Sequence, residues 1–67
     1  MVKFNKDYLI QIINNSGLTQ VQFAAKFGFH KGYLNELVCG RRLSVGFEFF
    51  SKMYLAGYNI NDFFEEI

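Results

Sequence analysis

Residues 19–40 read TQVQFAAKFGFHKGYLNELVCG, and this stretch decides the fold. Thr19, followed three residues later by Gln22, fits the S/T-x-x-E/Q capping box, in which two side chains satisfy orphan N–H groups at a helix start. Phe23, Ala24 and Phe27 then recur at helical spacing and predict a short helix over 20–27. Gly28 ends it, because a left-handed turn is cheap only without a Cβ. Leu34, Leu37 and Val38 repeat the spacing and predict a second helix over 30–38, with Gly40 beyond its end. Two short helices joined by a tight turn must cross closely. Ala24 stands at that crossing, where a larger side chain would hold the helices apart. Phe23, Phe27, Leu34 and Leu37 are spaced to bury the inner faces.

The same logic extends to both sides. Leu9, Ile12 and Ile13 form a stripe that predicts a first helix over 6–15, with Asn5 as its cap. Phe49, Phe50, Met53 and Ala56 predict a fourth helix, capped by Ser44 and running to residue 56. Asn59, with Asp62 in the first turn, opens a last helix that ends near the C-terminus. The chain has no proline, so Gly17, Gly28, Gly40 and Gly57 supply the punctuation, each after a helical segment. No stretch alternates with period two for long enough to read as a strand. The expected fold is all-α: a compact five-helix domain over 1–67, with connections too short for a linker, a repeat or a second domain.

Composition sets the outer limits. A domain of 67 residues buries only about 60 % of the surface its unfolded chain exposes. With 51 % apolar residues, nine Phe and four Tyr, this chain has enough to build a core and is not expected to be disordered. One Cys gives neither a disulfide framework nor a thiolate zinc site, and points to a reducing interior. One His leaves little material for a catalytic triad or a metal centre. No enzyme activity, metal or other cofactor is expected. No apolar run approaches the roughly 20 residues of a membrane span, and the start MVKFNKD lacks a signal peptide's apolar stretch.

The net charge of +1 hides an uneven distribution. Residues 1–18 carry +1 and residues 19–42 carry +3, from Lys26, Lys31, Arg41, Arg42 and Glu36. Residues 43–67 carry −3. A basic middle and an acidic tail suggest one face that meets a polyanion, against the alternative of simple scatter.

The 19–40 stretch, with TQ at its start, Ala24, Gly28 four residues on, and GRR at 40–42, resembles the DNA-binding helix-turn-helix of the phage Cro/repressor family, which includes many bacterial xenobiotic-response-type regulators. The resemblance covers nearly the whole chain. It implies that the helix over 30–38 enters the major groove of double-stranded DNA while the preceding helix crosses the phosphate backbone. On that basis Gln20 contacts a phosphate, and His30, Lys31 and Gly32 open the recognition helix. Lys31 and Glu36 fall at base-reading positions, Tyr33 lies toward the backbone or a thymine methyl, and Arg41 and Arg42 contact phosphates after the helix. The chemistry suits those roles unevenly. Lys31 can donate to guanine, and Glu36 can accept from cytosine but repels phosphate. His30 stands where a Ser or Thr cap is usual, and Gly32 reads nothing through a side chain. Each residue also has a plainer role open to it. The cations are otherwise solvated surface charge, Tyr33 a core-edge aromatic, His30 a solvent-facing cap substitute, Gln20 an ordinary polar residue at a helix start, Glu36 a partner for a neighbouring cation, and Cys39 filler.

The aromatic load exceeds what one small core requires. Phe47, Tyr54, Phe63, Phe64 and Ile67 form a candidate homodimer surface, or else the last helix folds over it within one chain. The function expected is that of a cytoplasmic transcription regulator of phage or bacterial origin, a repressor that binds an operator. The rival is a protein-interaction module on the same fold, an antitoxin or anti-repressor, favoured by the near-neutral charge and the surplus apolar surface.

Overall fold

The computed structural model describes residues 1–41 and 45–67. The chain runs β1 (Val2–Phe4), α1 (Lys6–Asn15), α2 (Gln20–Phe27), α3 (Lys31–Cys39), α4 (Phe47–Leu55), a short 3-10 turn (Ile60–Phe63) and β2 (Phe64–Glu66). The expected all-α, five-helix architecture is therefore corrected: among the described residues four α-helices sit beside a two-stranded antiparallel sheet.

The first three helices form where the sequence places them. Asn5 Oδ1 accepts from the Tyr8 N–H at 3.1 Å and opens α1. The capping box of α2 is complete: Thr19 Oγ1 accepts from the Gln22 N–H at 3.1 Å, and Gln22 Oε1 accepts from the Thr19 N–H at 2.9 Å. The fourth helix starts later than expected, at Phe47, with Gly46 in the cap position and no side-chain cap. Ser44, the expected cap, lies outside the described residues.

The predicted fifth helix fails for a local reason. Asn59 caps as expected, but its Oδ1 takes the N–H of Asn61 at 3.0 Å and closes only one tight turn. Phe63 then drops fully into the core, and its carbonyl accepts from the Asn5 N–H at 2.7 Å. That bond holds the chain extended, so Phe64–Glu66 pairs with Val2–Phe4 in the register Val2↔Glu66, Lys3↔Glu65 and Phe4↔Phe64. A helix of one turn does not recover the cost of its nucleus, so nothing local resists the strand. The sheet ties β1 and β2 together.

Among the described residues eleven side chains make one core: Leu9, Ile12 and Ile13 from α1, Phe23 and Ala24 from α2, Phe29 from the turn, Leu34 and Leu37 from α3, Phe49 and Met53 from α4, and Phe63. Phe49 is its aromatic centre, with the rings of Phe4, Phe29, Phe50 and Phe63 at 5.2–5.5 Å. Three of these contacts are edge-on and the one with Phe29 is stacked, geometries that add to what the buried area alone contributes.

Candidate nucleic-acid interface

The turn between α2 and α3 is three residues long. Gly28 takes φ +74, and the Phe29 N–H reaches back to the Ala24 carbonyl at 2.8 Å. Phe29 is buried against Phe27, Tyr33 and Phe49, so the turn is pinned from inside. Lys52 of α4 closes it from outside. Its Nζ donates to the Gly28 carbonyl at 2.9 Å, pairs with Glu48 at 3.0 Å and lies 5.0 Å from the centre of the Phe29 ring. Ala24 is fully buried, as its expected place at the helix crossing requires.

His30 is the cap of α3. Its Nδ1 accepts from the Gly32 N–H at 3.1 Å, doing with a ring nitrogen what Ser or Thr does with a hydroxyl. A Cβ on Gly32 would come within 3.3 Å of that nitrogen, so Gly32 leaves room for the histidine ring. At the far end, Gly40 takes φ +75 and the Arg41 N–H bonds the Glu36 carbonyl at 3.0 Å. The Lys6 stem lies 3.3 Å from where a Gly40 Cβ would stand. The Lys6 cation thus sits at the C-terminal end of α3, where the helix dipole favours it.

The outer face of α3 is a stripe of Lys31, Gly32, Asn35 and Cys39, all exposed. Gln20, at the start of α2, is attached to the middle of this stripe: its Nε2 donates to Asn35 Oδ1 at 3.2 Å. Cys39 Sγ approaches the same oxygen at 3.7 Å. Asn35 is not among the residues that the family resemblance singles out, although it lies one turn beyond Lys31 and so shares its face. Its oxygen is engaged by Gln20.

The structure sets His30, Lys31 and Gly32 at the opening of α3 and joins Gln20 to Asn35 one turn further on, with Arg41 exposed beyond the helix end. It places two predicted residues off the stripe. Tyr33 is half-buried with its ring 5.9 Å from that of Phe29, packed against the core. Glu36 is half-buried as well. Arg42 lies outside the described residues. Two lysines join this end of the molecule from elsewhere in the chain. A shallow groove of about 210 Å³ is lined by Lys3 and Lys6 together with Asp7, Glu65, Leu37 and Gly40. Lys3 pairs with Glu65 at 3.0 Å, while Lys6 and Lys31 are exposed.

The predicted homodimer surface needs one correction. Phe63 is fully buried among Phe4, Tyr8 and Phe49, so it cannot meet a partner. Phe64 and Ile67 belong to β2 and the residue after it, with Phe64 stacked on Phe50 at 5.3 Å. Phe47 and Tyr54 are exposed on α4, joined there by Leu55.

Among the described residues no group of three or more His, Cys, Asp or Glu could hold a metal ion. None of their helices is long and apolar enough to cross a membrane. No family model, curated protein or solved structure matches the chain.

Proposed function

We infer that this protein binds double-stranded DNA with sequence preference, laying the outer face of α3 in the major groove and the start of α2 against the phosphates. The observation that carries this reading is the Gln20–Asn35 hydrogen bond, which joins the two helices across an exposed polar stripe. That stripe holds Lys31, Asn35 and the small residues Gly32 and Cys39. Such a face offers donors to base edges and little bulk to hold the backbone of DNA away. Lys31 and Asn35 read bases; Gln20 and Arg41 hold phosphates, and Lys6 reinforces the positive end of the contact. A small regulator that occupies an operator and so represses transcription in the cytoplasm of a phage-infected or bacterial cell fits this chemistry. A second reading, a protein-interaction module, draws on the apolar side of α4.

Selection of bound duplexes from a random pool, repeated across salt concentrations, tests the inference. Neutralising about five phosphates gives a log K against log salt slope of about −4 to −5. A defined preferred sequence with that slope supports the reading. Equal affinity for every duplex, or salt-insensitive binding, overturns it.

A further inference from the structure

The outer face of α4 leaves three large apolar side chains in water, with the exposed Glu48 beside them. Phe47 and Leu55 are each 83 % exposed and Tyr54 is 68 % exposed. With Phe50, Ser51 and Ile60 they line an open groove of about 340 Å³. Counting roughly 200 Å² for a fully exposed aromatic side chain, Phe47 and Tyr54 leave about 300 Å² in water before Leu55 is added. A homodimer of standard size buries about 800 Å² per partner, roughly 65 % of it apolar, and so needs on the order of 500 Å² of such surface. Leu55 and the half-buried Phe50 and Ile60 bring the face to that range.

The pattern along α4 is self-complementary. At 100° per residue, Ser51 is the centre of the exposed face, with Phe47 and Leu55 roughly 40° to either side and one turn away in opposite directions. Two copies crossing antiparallel at Ser51 set Phe47 level with the Tyr54 and Leu55 of the other copy. The small serine lets the helix axes come close. Glu48, the exposed carboxylate of this face, stands roughly 60° from Ser51, at the edge of the seam. An antiparallel crossing sets it on the side that carries Leu55 and Lys52 of the other copy, where the Lys52 Nζ already holds its own Glu48 and the Gly28 carbonyl, whereas a parallel one sets it beside Phe47.

We propose that a second copy of this chain docks on this face, α4 against α4, antiparallel about Ser51. The contact lies on α4, separate from the α3 stripe, so it stands whether or not the chain binds DNA. It gives an isologous pair, in which the same patch serves both partners.

Sedimentation of the free protein over a concentration series tests the pairing. The wild-type chain is expected to reach twice its 7.8 kDa mass at high micromolar concentration. Phe47→Glu and Leu55→Asp are expected to stay at 7.8 kDa with an unchanged unfolding midpoint, because both side chains lie outside the core. Cys39→Ser/Ser51→Cys, under mild oxidation, is expected to give a covalent dimer in high yield, since the new thiols meet at the crossing. A wild-type chain that remains monomeric at several hundred micromolar, or a dimer that survives both charged variants, overturns the proposal. The pairing is equally overturned if the Cys39→Ser/Ser51→Cys chain crosslinks no faster than Cys39→Ser/Gln11→Cys, whose new thiol lies on the exposed side of α1.

Discussion

α3 and α4 are built alike on the inside and oppositely on the outside. Each is nine residues long, and each commits two residues wholly to the core, Leu34 and Leu37 in one, Phe49 and Met53 in the other. Outward, α3 shows Lys31, Gly32, Asn35 and Cys39, whereas α4 shows Phe47, Tyr54 and Leu55 with Glu48 among them. The inner faces answer to one shared core and had to be similar. The outer faces answer to whatever they meet, and their chemistry differs accordingly: hydrogen-bond donors on one, rings and aliphatic carbon on the other. The two proposals separate along that line, with duplex binding assigned to α3 and self-docking to α4.

The shared interior should respond first and most strongly. Phe49→Ala removes the ring that touches Phe4, Phe29, Phe50 and Phe63, and with it the link between α4, the turn and the sheet. A loss of about 3–5 kcal/mol is expected in urea unfolding. That is most of the stability a small domain has, so both outer faces should fail together. If Phe49→Ala keeps α3 competent for DNA while disturbing only α4, the two halves are less coupled than their common core implies.

The outer face of α3 should respond in specificity and hardly at all in stability. Lys31→Ala and Asn35→Ala are each expected to relax preference at one or two base pairs by about 1–3 kcal/mol. Their unfolding midpoints should stay within about 0.5 kcal/mol of wild type, as exposed substitutions do. Arg41→Ala is expected to weaken all duplexes alike and to flatten the salt slope by about one unit. Competition binding against single-base variants of the selected site separates these outcomes. Should Arg41 change the preferred bases while Lys31 and Asn35 do not, α3 lies in a different register.

A smaller effect distinguishes how the two helices begin. α3 has a side-chain cap in His30, and α4, starting at Gly46, has none. His30→Ala is expected to cost about 1 kcal/mol, the usual value of a lost cap. Gly46→Ser should gain a few tenths to about 1 kcal/mol if the hydroxyl reaches the first turn of α4. Thermal unfolding of both variants checks the pair. An unchanged His30→Ala midpoint would mean that water replaces the ring nitrogen without cost.

Much of the fold is legible in the sequence where local chemistry decides structure. The Thr19–Gln22 box and the stripes of α1, α2 and α3 set helices within a residue of where they form, because caps and helical spacing are local signals. The strands are not legible. Three residues give too little alternation, and what holds β2 extended is a bond from Asn5, far away in sequence, to the Phe63 carbonyl. Asn35 can be found from its spacing, since it lies one turn from Lys31. Leu55 can be found on the same ground, four residues beyond Ser51. Lys6 cannot, because only the folded chain brings α1 against Gly40.

That unread sheet supports the smallest prediction. Lys3 and Glu65 face each other at 3.0 Å across the two strands, which invites the view that their charges close the sheet. Their side chains are 57 % and 39 % exposed, and a pair so placed is worth about 0.2–1 kcal/mol. The stronger ties are of other kinds. The Asn5 N–H meets the Phe63 carbonyl at 2.7 Å, the Ile67 N–H meets the Met1 carbonyl at 2.9 Å, and Phe4 stacks on the buried Phe63 with their ring centres 6.0 Å apart. A double-mutant cycle with Lys3→Ala and Glu65→Ala, measured by urea unfolding, is therefore expected to give a coupling of at most about 1 kcal/mol. In 1 M salt, where charges are screened within roughly 3 Å, that coupling should vanish while the chain stays folded. A coupling above about 2 kcal/mol that persists in salt would make the ion pair, and not the buried Phe63, the closure of the sheet.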